Sequence, residues 1–137
     1  MPEDSIQALN ILLIDDQRAM RSILRNMLHR IGIKDTAEAN DGREALDYLG
    51  NPQARFPDVI ICDLHMEGMD GMQFCQSVRR HQKYRNSGVP ILILTGDHDP
   101  LLHEVSRQVG AVSVLTKPVN AQQLKSEIVS AVGYAEL

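Results

Sequence analysis

Residues 11–16 read ILLIDD, an apolar run of four residues that ends in two adjacent aspartates. A short run of β-branched residues and leucine is typical of a strand that is covered on both faces. Three further runs have this character and occupy residues 59–62, 91–94 and 112–115, the last interrupted only by Ser113. We therefore predict four buried strands.

Amphipathic stretches separate these runs. In the first, apolar side chains recur at the three- and four-residue spacing of one helical face, and Gly32 follows as a stop signal. Arg21 and Arg25 fall outside this stripe, which consists of Met20, Ile23, Leu24, Met27, Leu28 and Ile31.

Four later stretches also read as helices. One covers residues 40–49, one lies around residues 74–78, and one follows Asn120 as its cap. Asp99 and Pro100 resemble an N-cap followed by a first-turn proline. Behind them we expect a core-facing stripe made of Leu101, Leu102, Val105 and Val109.

A weakly apolar segment at residues 33–39 completes the pattern as an edge strand, which needs less burial than a central one. Five alternating strand–helix units predict an α/β fold with a doubly wound, five-stranded parallel sheet and five helices. We expect the flavodoxin-like strand order 2-1-3-4-5, because it places strand two at an edge. A chain of 137 residues suits one domain, residues 1–137.

Composition excludes several classes of protein. The net charge of −4 argues against a nucleic-acid surface, and no apolar run approaches the roughly 20 residues of a membrane helix. Residues 1–5 carry no signal-peptide pattern, so we expect a cytoplasmic protein. Cys62 and Cys75 each stand alone in an apolar segment, which favours buried thiols over a disulfide or metal pair.

Polar side chains follow the predicted strands where each one ends. Asp15 and Asp16 follow the first run, Asp63 the second, Thr95 the third, and Lys117 lies just beyond the last. Ligands of such sheets bind beyond the carboxyl ends of the strands. Because adjacent strands lie about 4.8 Å apart, the carboxylates of strands one and three should converge.

Three converging carboxylates need a cation, since like charges disfavour one another's ionised form. Lys117 supplies one positive charge, and Mg²⁺, which prefers oxygen ligands, supplies the other. A metal, an ammonium group and the Thr95 hydroxyl together form a site for a phosphoryl group.

At these positions the sequence resembles the receiver domain of two-component response regulators, over nearly the whole chain. Residues 11–16 look like the acidic pair of that family, and residues 63–71, DLHMEGMDG, look like its phosphoacceptor segment. Thr95-Gly96 matches its hydroxyl and small residue, and Lys117-Pro118 its lysine and proline.

The resemblance implies a magnesium site. Asp16 and Asp63 would bind the ion directly and Asp15 largely through water. His65 would contribute its backbone carbonyl oxygen. The positions of His65 and Asp97 also tend to tune hydrolysis in this family.

The resemblance also implies the reaction. Asp63 would accept the phosphoryl group of a phosphohistidine on a sensor histidine kinase or a histidine phosphotransfer protein. Thr95 and Lys117 would contact the transferred group, and the bond between Lys117 and Pro118 would be cis. The product would lose its phosphate by slow self-hydrolysis, so we expect a switch and not an enzyme.

Output would come from the fourth helix, fifth strand and fifth helix, roughly residues 99–132. The chain ends at residue 137, so we expect no output domain and a signal passed to a downstream protein, without nucleic-acid or membrane binding. The chain would be a monomer or a weak dimer through these helices. Two positions depart from the family: Val114 replaces the usual switch aromatic, and Glu67 replaces a proline.

Other functions use parts of the same pattern. The chain could be a phosphorelay intermediate, or a binding module that is not phosphorylated. A magnesium-dependent phosphohydrolase would need a second aspartate two residues after the nucleophile, where His65 stands. A flavodoxin-like cofactor binder would need a Ser/Thr/Gly-rich loop after strand one, where Asp15 and Asp16 would repel a phosphate.

Overall fold

The strands of the computed structural model, which describes residues 6–81 and 85–133, are Asn10–Ile14 (β1), Asp35–Ala39 (β2), Val59–Asp63 (β3), Ile91–Thr95 (β4) and Ser113–Thr116 (β5). They pair in parallel in one sheet, in the order β2-β1-β3-β4-β5. This confirms the predicted doubly wound sheet and its strand order.

The helices lie on both faces of the sheet. They are Arg18–Arg30 (α1), Gly42–Gly50 (α2), Gly71–Arg80 (α3), Pro100–Gln108 (α4) and Ala121–Val132 (α5), and a short 3-10 turn at Ile6–Ala8 precedes β1. α1 and α5 cover one face, and α2, α3 and α4 cover the other. Within the described part of the chain, no helix is long and apolar enough to cross a membrane.

Each central strand contributes to two cores because successive side chains point to opposite faces of a sheet. In β1, Leu12 and Ile14 pack toward α2 and α3, whereas Ile11 and Leu13 pack toward α1 and α5. β3 and β4 alternate in the same way. This explains why the sequence of these strands is apolar throughout instead of alternating with polar residues.

β2 is the edge strand that its weak apolar pattern predicted. It pairs only with β1 among the described strands, and Ala39 is its one fully buried residue. Ala39 lies opposite Ile14 at the carboxyl end of β1, next to the first aspartate. The edge strand therefore supports the end of the sheet where the polar residues gather.

Side-chain caps mark the starts of α2, α3, α4 and α5. The Asp99 carboxylate accepts a hydrogen bond from the Leu101 amide, and Asn120 forms a capping box with Gln123, as the sequence predicted for both caps. α2 begins at Gly42 and not at residue 40, because Asp41 is its N-cap and accepts the Glu44 amide. Each cap satisfies an amide that would otherwise lack a partner at a helix start.

The predicted core-facing stripe of α4 is half wrong. Leu102 and Val109 pack against the core, but Leu101 is 69% exposed and Val105 is exposed as well. The buried residue at the centre of the inner face is Ser106, whose hydroxyl donates to the Leu102 carbonyl oxygen. Because this hydrogen bond lets a polar residue lie buried, the apolar pattern alone mispredicted which side of α4 faces the core.

The inner face of α1 also differs from its apolar stripe. Ile23 is 48% exposed, whereas Arg21, predicted to lie outside the stripe, is buried. Arg21 stands three residues before Leu24 and seven before Leu28, so all three share the face that packs on the sheet. The guanidinium finds polar partners at the end of the sheet, described below.

Both cysteines are buried and free, as predicted. Burial raises the pKa of the Cys75 thiol to about 12 and also raises the pKa of the Cys62 thiol. Both groups therefore stay protonated at neutral pH and act as small apolar side chains.

Gly71 allows α3 to begin directly against the carboxyl end of β3. Its amide donates to the Leu64 carbonyl oxygen at 2.8 Å. A Cβ atom at this position would lie 2.8 Å from the Asp63 carbonyl oxygen and 3.0 Å from the Leu64 Cα. Both are backbone atoms, so neither can rotate away.

We predict that Gly71→Ala lowers the free energy of unfolding by about 1–3 kcal/mol, the usual cost of overpacking a tight contact. Urea denaturation followed by circular dichroism measures this change. Gly88→Ala is the matched control, because the nearest atom to its Cβ would be the Asn86 side-chain oxygen at 3.4 Å. Equal stability of the wild type and Gly71→Ala would contradict the close approach.

Candidate functional site

Three carboxylates meet where β1 and β3 end side by side. Ile14 of β1 lies opposite Cys62 of β3, so the residues that follow them, Asp15 and Asp63, emerge next to one another. One carboxylate oxygen from each of Asp15, Asp16 and Asp63 lies within 4.8 Å of the others. The predicted convergence of these three side chains is confirmed.

Lys117 approaches this cluster from the end of β5, which it directly follows. Its Nζ atom donates a hydrogen bond to Asp63 Oδ1 at 2.9 Å, and both side chains are largely buried. Its backbone amide donates to the Thr95 carbonyl oxygen at 2.7 Å, which holds the end of β5 beside β4. The Lys117–Pro118 peptide bond is cis, as the resemblance implied.

Thr95 is the last residue of β4 and is fully buried. Its hydroxyl oxygen accepts a hydrogen bond from the Asp97 amide at 3.0 Å. A hydroxyl has one proton of its own, so Thr95 keeps the capacity to donate to a further acceptor. The Asp97 carbonyl oxygen in turn lies 2.7 Å from Nε2 of His103 on α4, and this contact joins the loop to the helix.

A family model described as the response regulator receiver domain matches residues 11–129. The chain belongs to this family. Chemotaxis protein CheY of Pseudomonas aeruginosa is 33% identical over 122 residues, which are 88% of this chain and 93% of that protein. The cyclic di-GMP phosphodiesterase response regulator RpfG of Xanthomonas campestris is 30% identical over 118 residues, 86% of this chain but 30% of that protein.

Solved structures give the same result. The chemotaxis response regulator CheY4 of Vibrio cholerae superposes with a TM-score of 0.76 at 34% identity, covering 90% of this chain and 98% of its own. The receiver domain of a histidine kinase from Syntrophus aciditrophicus has a TM-score of 0.78 at 30% identity, covering 92% and 91%. The fold is therefore the CheY-like fold of receivers.

Burial raises the pKa of Asp15 in this receiver above its ordinary value of 3.8. The Gln17 amide, which donates to Asp15 Oδ1 at 2.8 Å, opposes this effect, and so does Lys117. The neighbouring charges of Asp63 and Asp16 raise the pKa further. Because the side chain is only 1% exposed, water cannot screen this repulsion well, and a bound cation would relieve it.

The cluster fits a magnesium ion. Mg²⁺ binds oxygen ligands at about 2.1 Å in an octahedron, so adjacent ligand oxygens lie about 3.0 Å apart and opposite ones about 4.2 Å. One oxygen from each of Asp15, Asp16 and Asp63 lies within 4.8 Å of the other two, a spread close to that range. The set is compatible with Mg²⁺, because it offers only the oxygen donors that this ion prefers.

Two other positions named by the sequence lie around the cluster. His65 is exposed in the loop after β3, and the role of its carbonyl oxygen as a metal ligand stays a prediction. Val114 lies opposite Ile93 in the sheet and packs against the core on the α4 side. This receiver therefore has an aliphatic side chain where the family usually has its switch aromatic.

Sequence reasoning missed Arg21. Its Nη1 atom donates to the Asp15 carbonyl oxygen at 2.5 Å, and its Nε atom donates to Glu38 Oε1 at 2.9 Å. The position of Arg21 on the face of Leu24 and Leu28 was the available signal. Apolar periodicity alone does not reveal this position, because a charged residue does not count toward an apolar face.

We predict that Asp15→Asn raises the free energy of unfolding of the metal-free protein at pH 7, by about 1 kcal/mol, the size of an ordinary single substitution. The amide removes the repelled charge and keeps an acceptor for the Gln17 amide. Denaturation in urea with a chelator present, followed by circular dichroism, measures this.

The pH dependence follows from the raised pKa. The unfolded chain releases the Asp15 proton near its ordinary value of 3.8, whereas the folded protein holds it to a higher pH. The stability of the wild type relative to Asp15→Asn should therefore fall as pH rises above about 4. Saturating Mg²⁺ should favour the wild type instead. A less stable Asp15→Asn protein in chelator at pH 7 would contradict this electrostatic account.

Proposed function

We propose that this receiver is a magnesium-dependent phosphoacceptor switch, in which Asp63 takes a phosphoryl group from a phosphohistidine. The observation that carries the proposal is the position of Asp63. Its carboxylate lies in a cluster with Asp15 and Asp16 and also accepts a hydrogen bond from Lys117. A buried carboxylate between a cation site and an ammonium group is placed to act as a nucleophile toward phosphorus.

Asp15, Asp16 and Asp63 would hold the magnesium ion, with the carbonyl oxygen of His65 as a further ligand. When bound, the ion neutralises the developing charge on the phosphoryl oxygens. The three carboxylates also keep the site selective for a hard cation, because they offer oxygen donors alone.

A carboxylate oxygen of Asp63 attacks phosphorus and forms the new P–O bond. The P–N bond of the phosphohistidine breaks, and the imidazole nitrogen leaves with the electron pair. Lys117, which donates a hydrogen bond to Asp63 Oδ1 at 2.9 Å before the reaction, can donate to a phosphoryl oxygen after it. The Thr95 hydroxyl, whose proton is not engaged by the Asp97 amide, can donate to another.

Hydrolysis returns the switch to its starting state. Water attacks phosphorus, the P–O bond to Asp63 breaks, and inorganic phosphate leaves. The protein consumes its own phosphoryl group once per cycle and turns over no separate substrate, so we class it as a switch and not as an enzyme. We place it in the cytoplasm, where histidine kinases present their phosphohistidines.

The donor would dock on an apolar groove beside the site. The groove holds about 340 Å³ and is lined by Met20, Ile23 and Met27 from α1 and by Lys117, Pro118 and Val119 from the loop after β5. Lys117 belongs both to the groove and to the phosphoacceptor site. A helix of a kinase or phosphotransfer protein laid in this groove would bring its phosphohistidine to Asp63.

The output surface would lie on the opposite side, at α4 and β5. Three exposed apolar residues belong to this region: Leu101 and Val105 on α4, and Val112 just before β5. Leu101 and Val105 are one helical turn apart, so they form a row that a downstream protein could cover. Phosphorylation would shift an equilibrium of this region and would alter the affinity for that protein.

We predict that acetyl phosphate with Mg²⁺ adds one phosphoryl group to the wild type, read by intact mass. Asp63→Asn should gain none, because an amide is a poor nucleophile. Omission of Mg²⁺, with a chelator present, should abolish the adduct in the wild type. A magnesium-independent adduct, or an adduct on Asp63→Asn, would contradict the proposal.

A second prediction concerns the donor groove. Ile23→Asp should slow phosphotransfer from a histidine phosphotransfer protein that labels the wild type, by about tenfold, because it buries a charge against the donor. Val112→Asp is the matched control, since both side chains are 48% exposed and only Ile23 lines the groove.

Labelling by acetyl phosphate separates docking from chemistry. It needs no protein surface, so both variants should react at the wild-type rate. Equal slowing of Ile23→Asp with acetyl phosphate would show damage to the site. Unchanged phosphotransfer to Ile23→Asp would exclude the groove as the docking surface.

A further inference from the structure

We propose that Arg21 is a positioning residue for the metal site: it clamps the loop after β1 through the Asp15 carbonyl oxygen and so holds Asp15 and Asp16 ready for the ion. The inference rests on the proposed magnesium site. It assigns a task to a buried charge that lies on the inner face of α1.

The clamp has two arms. The Nη1 atom of Arg21 donates to the Asp15 carbonyl oxygen at 2.5 Å, and its Nε atom donates to Glu38 Oε1 at 2.9 Å. The arginine is 8% exposed, so water competes little for either bond. Glu38 lies in β2 opposite Leu13 of β1, and the guanidinium therefore ties α1 and the loop to the edge strand.

Glu38 is itself fixed and ionised. Burial alone would raise the pKa of Glu38, but hydrogen bonds from Arg21 and Arg25 outweigh this effect and lower the pKa. Arg25 Nη1 donates to Glu38 Oε2 at 2.7 Å, the oxygen that Arg21 does not use. Arg21 is thus held by a carboxylate whose second oxygen already has a partner.

The loop that Arg21 holds is short and carries two of the three carboxylates. It covers residues 15–17, between the end of β1 and the start of α1. The Asp15 amide donates to the Ala39 carbonyl oxygen at 3.2 Å, and its Oδ1 atom accepts from the Gln17 amide. With the hydrogen bond from Arg21, the amide, the carboxylate and the carbonyl oxygen of Asp15 all have partners. The bond to the carbonyl oxygen also fixes the peptide group between Asp15 and Asp16.

A rigid loop should raise the affinity for Mg²⁺, because this ion requires near-ideal octahedral geometry. Groups that orient metal ligands typically change metal affinity by about 10- to 100-fold when they are removed. The charge of Arg21 acts in the opposite direction, since a cation near the cluster repels Mg²⁺. Removal of Arg21 therefore weakens metal binding if it positions the loop and strengthens binding if it acts by charge alone.

The experiment titrates Mg²⁺ into the wild type, Arg21→Gln and Arg25→Gln by isothermal titration calorimetry at pH 7. Arg25→Gln is the matched control, because it removes one arginine from Glu38 but none from Asp15. We expect Arg21→Gln to bind Mg²⁺ about tenfold more weakly, and Arg25→Gln to change by less than about twofold.

Arg21→Lys is the second variant. It keeps the charge but has no fork to bond both Asp15 and Glu38, so it should also bind Mg²⁺ more weakly. It serves the test if Arg21→Gln does not fold, which circular dichroism decides. Unchanged or tighter binding by the folded Arg21 variants would overturn the inference, and so would equal weakening by Arg25→Gln. A wild type that binds no Mg²⁺ would overturn the proposed function as well.

Discussion

The crowding of Asp15, Asp16 and Asp63 at the ends of two neighbouring strands is the constraint on which the rest of the site depends. Parallel pairing of β1 and β3 brings these carboxylates within 4.8 Å of one another. Asp15 and Asp63 are buried whereas Asp16 is exposed, so the repulsion acts most strongly on Asp15, where burial and the neighbouring charges raise the pKa. Lys117 donates a hydrogen bond to Asp63, and Arg21 donates one to the Asp15 carbonyl oxygen. We propose that the remaining negative charge is what binds the divalent cation.

At the same end of the sheet, hydrogen bonds link the buried Thr95 to helix α4 at the surface. The Thr95 hydroxyl accepts from the Asp97 amide, and the Asp97 carbonyl oxygen contacts the ring of His103 on α4. A Thr95 side chain that turned toward a phosphoryl group would disturb this chain of contacts. Val114 offers no aromatic ring to move in response. A series of hydrogen bonds runs along the loop between β4 and α4: the Asp97 amide donates to the Thr95 hydroxyl, the Asp99 amide to Asp97, and the Leu101 amide to Asp99.

The fold and the convergence of the three aspartates could be predicted from the sequence because both depend on local pattern. Wholly apolar strands are typical of a buried parallel sheet. Polar residues directly after such strands, here Asp15 and Asp63, indicate the edge where ligands of these sheets bind. The supporting residues were harder to find. Arg21 is a buried charge, and one of its partners, Glu38, lies 17 positions away in the chain. Ser106 is buried in α4, whereas Leu101, which the apolar pattern placed in the core, is exposed. Periodicity shows which residues share a face, but it does not show which face is buried when polar groups satisfy one another.

In the proposed switch Asp63, and neither of its acidic neighbours, carries the phosphoryl group as an acyl phosphate. The most direct measurement is reduction of the phosphorylated protein with borohydride, which converts an aspartyl phosphate to homoserine, followed by peptide mass mapping. We expect homoserine at residue 63 alone, and only when Mg²⁺ was present during phosphorylation. Homoserine at residue 15 or 16, or a phosphoryl group found on a histidine or serine instead, would contradict it.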